Sequence, residues 1–115
     1  MEKLCEDYRL NVAEISERLR AAESFDIIKR RLFAGGKELC FFYIDGFVKD
    51  GELQRIMQFL LGKSEIGSAE ACEKMIPYVE ISRTDGVDDV VRAVLSGQTV
   101  LFCDSFGAEA IILDL

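Results

Sequence analysis

Residues 23–50 read ESFDIIKRRLFAGGKELCFFYIDGFVKD, and the reading of this stretch decides the fold. An apolar-rich segment, 25–33, is followed by Gly35-Gly36 and then by Leu39-Cys40-Phe41-Phe42-Tyr43-Ile44, the densest aromatic and β-branched run in the chain, stopped by Asp45-Gly46. Two strand-type runs about a glycine pair predict a β-hairpin, because glycine takes the positive φ angles of a tight turn without steric cost. The second strand is apolar throughout 39–44, so it should be buried on both faces. The first carries Lys29, Arg30 and Arg31 in succession. Three consecutive cations cannot all point inward, so part of this strand is an edge or bends into solvent. A basic edge of this kind either guards against edge-to-edge aggregation or docks an acidic partner.

Outward from the hairpin, the apolar residues Leu4, Tyr8, Val12, Ile15 and Leu19 recur at spacings of three and four and predict a surface helix over 4–22, with Glu14, Glu17, Arg18 and Arg20 on its polar side. Downstream, Asp50 is placed to cap a helix whose buried stripe is Leu53, Ile56, Met57, Leu60 and Leu61, ended by Gly62. A polar loop, 63–68, leads into a short helix from Ser68 that Pro77, the only proline, should stop. Residues 78–82 alternate as a strand. Thr84 or Asp85 should cap a helix with Val87, Val90, Val91, Val94 and Leu95 on its buried side, closed by Gly97 in the C′ position. Two strands finish the chain, 99–103 and 109–113, joined by a turn at 104–108 and therefore antiparallel. The order is α-β-β-α-(α)-β-α-β-β. It describes an α/β (α+β) domain with a four- to five-stranded sheet covered by helices. Single helices between the middle strands lead to the expectation of a mixed sheet.

A chain of 115 residues is one domain and buries about two-thirds of the surface its unfolded form exposes. The formal charge of −7 repels phosphate backbones, and no cluster of cations with interleaved aromatics offsets it, so nucleic acid is excluded as a partner. Histidine is absent, which removes the commonest general base and the commonest zinc ligand together. Cys5, Cys40, Cys72 and Cys103 lack CxxC spacing, and two of them sit inside apolar runs, so they read as reduced, buried thiols. The longest uninterrupted apolar run, 39–44, is far short of the ~20 residues that cross a bilayer, and the amino terminus lacks the basic start and apolar core of a signal peptide. The residues as given are expected to be soluble, with no cofactor and no metal.

Asp45 in YIDG and Asp104 in FCDS each follow a buried strand, where open α/β sheets keep their ligands. Two carboxylates so placed could bind Mg²⁺ or divide acid and base work. The plainer reading is that Asp before Gly or Ser is a turn residue whose side chain bonds its own backbone. Gly35-Gly36 and Asp85-Gly86 fit no phosphate-binding pattern, and Cys103 has no histidine to activate it. Asp45 and Asp104 thus stand as candidate ligand-binding residues, and no catalytic residue is assigned.

The segments ESFDIIKRRLFAGGKELCFFYIDGFVKD (23–50), MIPYVEIS (75–82) and VVRAVLSGQTVLFCDSFGAEAIILDL (90–115), in this order and at these separations, resemble the N-terminal soluble region of the GerA family of spore germination proteins. The resemblance covers residues 4–115. It implies a non-catalytic domain, followed in the whole protein by a second soluble subdomain and a multi-helix portion in the spore inner membrane. On this reading the domain lies on the core side and supports assembly or signalling of a membrane complex that drives ion or dipicolinate release. Its partners would be other germination and sporulation membrane proteins, or a second copy of itself. A Pro-, Arg- and Glu-rich stretch that the family carries shortly after the last segment is missing, so the chain is expected to be a piece of a longer protein. Two alternatives remain at this point: a germinant-sensing domain with a pocket beside Asp45 and Asp104, and an Asp-dependent hydrolase.

Overall fold

The computed structural model describes residues 1–20, 26–76 and 80–115. The central hairpin forms as its glycines require. Strand β1 (Ile27–Ala34) and strand β2 (Lys37–Ile44) pair antiparallel over eight residue pairs, from Ile27 opposite Ile44 to Ala34 opposite Lys37. Gly35 and Gly36 between them take φ of 59° and 73°, the double positive φ of the turn that matches strand twist. Phe25, the expected first residue of this strand, lies outside the described residues.

The fold is α+β, a five-stranded sheet in the order β1-β2-β4-β5-β3 between two layers of helices. Strand β3 is Glu80–Thr84, β4 is Thr99–Cys103 and β5 is Ala110–Asp114. Helices α2 (Asp50–Leu61) and α3 (Ala69–Met75) cover one face, α1 (Tyr8–Arg20) and α4 (Val87–Leu95) the other. The period-two alternation of β2 divides its apolar run between the layers. Leu39, Phe41 and Tyr43 pack with α2 and α3, whereas Cys40, Phe42 and Ile44 pack with α1 and α4. Phe42 meets Phe102 of β4 edge to face, ring centroids 5.9 Å apart. Strand β1 is an outer strand, and Lys29, Arg30 and Arg31 are all exposed on it.

The expected mix of parallel and antiparallel neighbours does not occur: all four pairings are antiparallel. The reason lies in two connections. Between β2 and β3 the chain makes two helices in succession, which return it to the end of the sheet that β2 left. Between β3 and β4 it makes only α4, and those two strands do run the same way, but β5 is inserted between them. The unit is a split β-α-β, and the insertion turns what would be a parallel pair into two antiparallel ones.

Local boundaries depart from the periodicity in instructive ways. Helix α1 begins at Tyr8, not at Leu4. The Asp7 carboxylate accepts from the Arg9 amide at 2.9 Å and so ends the extended segment before it. That segment instead lies along the start of α4: Lys3 bridges Gly86, and the Leu4 amide donates to the Asp85 carbonyl at 2.7 Å. Asp50 does not cap α2. The Lys49 carbonyl takes the first helical bonds, from the Glu52 and Leu53 amides, so Asp50 sits inside the first turn with Glu52, where the helix dipole favours both carboxylates. Ser68 does cap α3, accepting from the Ala71 amide at 3.2 Å. Pro77, the expected stop of α3, and Tyr78 and Val79, expected in β3, lie outside the described residues. Neither Thr84 nor Asp85 caps α4, whose N-cap is Gly86. Thr84 instead accepts from the Gly86 amide and donates to Asp89, which fixes the corner into the helix. Gly97, at φ 92°, closes α4 in the position expected.

Candidate functional site

The two aspartates singled out in the sequence occupy opposite ends of the sheet. Asp45 follows the last residue of β2, whereas Leu39 near the start of β2 pairs with Cys103, which places Asp104 beside Glu38. Asp45 lies seven positions along the chain from Glu38, about 24 Å at the rise of a strand. The topology therefore prevents the pair from sharing one Mg²⁺ or one substrate atom. Among the described residues neither carboxylate accepts a hydrogen bond from the protein, so the side-chain turn bond expected of Asp before Gly or Ser is not made. The Asp45 turn is closed by backbone: the Asp45 amide donates to Asp26 at 2.9 Å and the Phe47 amide to Ile44 at 3.2 Å, with Gly46 at φ 86°.

Asp104 opens a 3-10 turn, Asp104–Phe106, whose Phe106 is buried as an anchor. Gly107 at φ 63° then reverses the chain, a backbone angle that favours glycine. A β-carbon there would also stand 2.6 Å from Glu6 Oε2 and push the Glu6 carboxylate aside. Asn11, 1% exposed, fastens the two segments together. Its carbonyl accepts from the Cys5 amide at 2.8 Å, and its amide donates to the Cys5 carbonyl at 2.8 Å and to the Gly107 carbonyl at 3.4 Å.

The resulting corner is an open bay of about 630 Å³ lined by Glu6, Asp7, Tyr8, Arg9, Glu38 and Asp104. Its four carboxylates take part in no ion pair among the described residues. Tyr8, the first residue of α1, is 6% exposed, and its buried hydroxyl has the Glu38 carboxylate as its neighbour, outside strict hydrogen-bonding geometry. Burial pushes the Tyr8 pKa well up, and the neighbouring Glu38 carboxylate pushes it further, against the opposite pull of Arg31. Of these six residues sequence reasoning found only Asp104. The other five come from two further segments, 6–9 and 38, which only the tertiary fold brings together. The one local signal is Tyr8 itself, a hydroxyl on an otherwise aliphatic helix face.

Cys40, Cys72 and Cys103 are buried as expected, whereas Cys5, on the segment before α1, is only half-buried. Burial raises Cys40 to about 11 and Cys72 to about 12, too high for a nucleophile near neutrality. The Ser105 hydroxyl donates its single proton to the Gly67 carbonyl at 2.7 Å, so in the 3.3 Å contact between Cys103 and Ser105 the thiol is the donor. Among the described residues no group of three His, Cys, Asp or Glu side chains is arranged to hold a metal ion. No helix among them is long and apolar enough to cross a membrane.

No curated protein matches this chain. Among solved structures it is similar to the crystal structure of the N-terminal domain of the A subunit of the Bacillus megaterium spore germinant receptor GerK3, at 20% identity and a TM-score of 0.78. The match covers 99% of this chain and 48% of that one, so the chain spans about half the length of its structural relative. The fold is thus that of an experimentally known domain. The family model for Bacillus/Clostridium GerA spore germination proteins matches residues 13–115. That span holds both strands of the central hairpin, the inserted final strand and the greater part of α1, and on this match the chain belongs to the GerA family of spore germination proteins.

Proposed function

We propose that this chain is the single N-terminal domain or subdomain, residues 1–115, of a longer membrane-anchored germination protein. There it supports assembly or signalling of a spore inner-membrane complex that drives ion or dipicolinate release, and it performs no chemistry of its own. The observation that carries this reading is the family match across 13–115. The separation of Asp45 from Asp104, the absence of histidine and the raised thiols support a non-catalytic role. In this reading the domain faces the spore core, and its partners are other germination and sporulation membrane proteins or a second copy of itself.

Within the family, FVKD after YIDG and the IPYVE run resemble stage V sporulation protein AF, with nutrient-receptor A subunits the alternative. The two assignments divide on germinant binding. Calorimetry of the chain against amino acids and sugars should be silent for the first, whereas saturable heat would favour the sensing domain of a receptor subunit.

The parent gene tests the main reading. It should encode several apolar spans of ~20 residues beyond this domain, and spores lacking the domain should release dipicolinate more slowly than wild type. A gene without such spans, or release at the wild-type rate, defeats the proposal.

A further inference from the structure

We propose that the outer edge of β1 takes an extended acidic segment of a partner protein as an added strand, with the partner's carboxylates beside Lys29 and Arg31 and an apolar residue beside Phe33. The inference stands on the register and charge of this edge and does not depend on the germination reading.

Register decides which backbone groups are open to a partner. In an antiparallel pair, residue pairs that exchange hydrogen bonds alternate with pairs that do not. The Asp45 amide donates to the Asp26 carbonyl at 2.9 Å, so the bonds to β2 fall on Asp26, Ile28, Arg30, Leu32 and Ala34. The N–H and C=O groups of Ile27, Lys29, Arg31 and Phe33 point the other way, off the outer side of the sheet. Among the described residues no strand pairs with them. A row of main-chain donors and acceptors of this kind is what an added strand binds. The edge runs for eight residues, against five for β3 at the opposite side of the sheet.

Charge then sets the kind of strand. Lys29 pairs with Phe42, Arg31 with Cys40 and Phe33 with Glu38, and directly paired residues share a sheet face. All three therefore lie on the α1 and α4 side, yet Lys29 and Arg31 are exposed and Phe33 is 70% exposed. Arg30 is exposed on the other face, so cations flank the open backbone above and below. In a chain of formal charge −7, none of the three cations enters an ion pair among the described residues. Arg83 on β3, by contrast, is held by Glu73 at 3.1 Å and by Glu109 at 3.3 Å. Unneutralised cations in a row attract an acidic partner. They also oppose a second copy, because β1 paired antiparallel with itself about Arg30 or Arg31 sets arginine against arginine. An edge that served only to repel other edges would have no use for a large ring open to water, and Phe33 gives the partner an apolar contact. Asp26 at one end of the strand and Glu38 beside Phe33 at the other confine the partner's carboxylates to the stretch between them.

Amide NMR of the chain, titrated with the capped peptide Ac-Val-Thr-Glu-Glu-Glu-Thr-Val-NH2, tests the proposal. The same peptide with Gln or Lys in place of Glu, and vesicles of phosphatidylglycerol, serve as controls. The Glu peptide should give saturable shifts centred on residues 27–33 and slow hydrogen exchange at the amides of Ile27, Lys29, Arg31 and Phe33. The Gln peptide should bind about fivefold more weakly, and the Lys peptide should not bind. A Lys29→Gln, Arg31→Gln variant should weaken binding of the Glu peptide about fivefold, the loss of two exposed charge pairs. Lys74→Gln, on α3, should leave it unchanged. A Lys29→Glu, Arg31→Glu variant should lose the Glu peptide and gain the Lys peptide, a gain that only a folded chain can show. The proposal is overturned if the Glu peptide does not saturate, if the Gln peptide binds as tightly, or if the Lys29→Gln, Arg31→Gln variant binds as the unaltered chain does. Shifts at 27–33 from the vesicles but not from the Glu peptide would make the edge a membrane contact. Protection of the same four amides in a dimer of the chain alone would make the occupant a second copy. Either result also overturns it.

Discussion

Gly35 lies so close to Ile66 that a β-carbon on it would stand 2.7 Å from the Ile66 amide nitrogen. The hairpin turn is thereby locked against the loop between α2 and α3, and the neighbouring glycine offers an internal control. Gly36 has the same sign of φ but nothing within 4 Å of its would-be β-carbon. Gly36→Ala should cost about 1–2 kcal/mol for the left-handed backbone alone. Gly35→Ala should cost more by the displacement of Ile66, which is 1% exposed. Urea unfolding of the two variants side by side reads the difference, and equal losses would show that the contact contributes nothing.

The edge-to-face pair Phe42 and Phe102 sits in the layer under α1 and α4. Phe42→Ala should lose about 3–5 kcal/mol through the cavity it leaves. Phe42→Leu, closer in volume, should lose less than half as much. If thermal unfolding ranks these two variants the other way, the close packing of this layer is misjudged.

Thr99 is fully buried in β4, and its hydroxyl has no hydrogen-bond partner among the described residues. Replacing it by the isosteric valine removes a polar atom that makes no return. Thr99→Val should be neutral or stabilising by up to about 1 kcal/mol. A clear destabilisation by calorimetry would mean that the hydroxyl is satisfied in solution.

The thiols predict a pH dependence with a definite sign. Burial raises Cys40 from 9.0 to about 11 and Cys72 from 9.0 to about 12. Below pH 9 both thiols are protonated whether the chain is folded or not, and stability does not change on their account. Above it the unfolded chain releases protons that the folded chain retains, so stability should fall between pH 9 and pH 12. A Cys40→Ala, Cys72→Ala variant should lose that part of the alkaline slope. At about pH 8, just below the ordinary thiol range, iodoacetamide should modify half-buried Cys5 well before Cys40, Cys72 or Cys103, and simultaneous modification of all four would contradict their burial.

The central hairpin was legible because its information is local. Six successive apolar residues mark an inner strand, a glycine pair marks the turn, and three successive cations mark an exposed edge. Helix faces were legible for the same reason, whereas their ends were not. At Asp50 and at Thr84 the residue with capping chemistry stands one or two positions from the place where backbone bonds begin the helix. The all-antiparallel sheet was hidden because nothing within β3, α4 or β4 announces that β5 comes between the two strands. That placement is decided by long-range pairing, such as Ile111 with both Leu101 and Arg83. The bay was hidden in the same way, since Glu6, Glu38 and Asp104 are remote in sequence and meet only where the start of α1 reaches the end of the sheet.

The inserted strand also fixes when this protein can exist as a protein during its own synthesis. Residues 110–114 pair on one side with 80–84 and on the other with 99–101, so the ribosome delivers an interior piece of the sheet after both of its neighbours. Until those residues clear the exit tunnel, β3 has no mate and the nascent polypeptide cannot close its interior. Folding of this domain is therefore coupled to the emergence of its closing residues, and any downstream segment begins to appear while that step is under way.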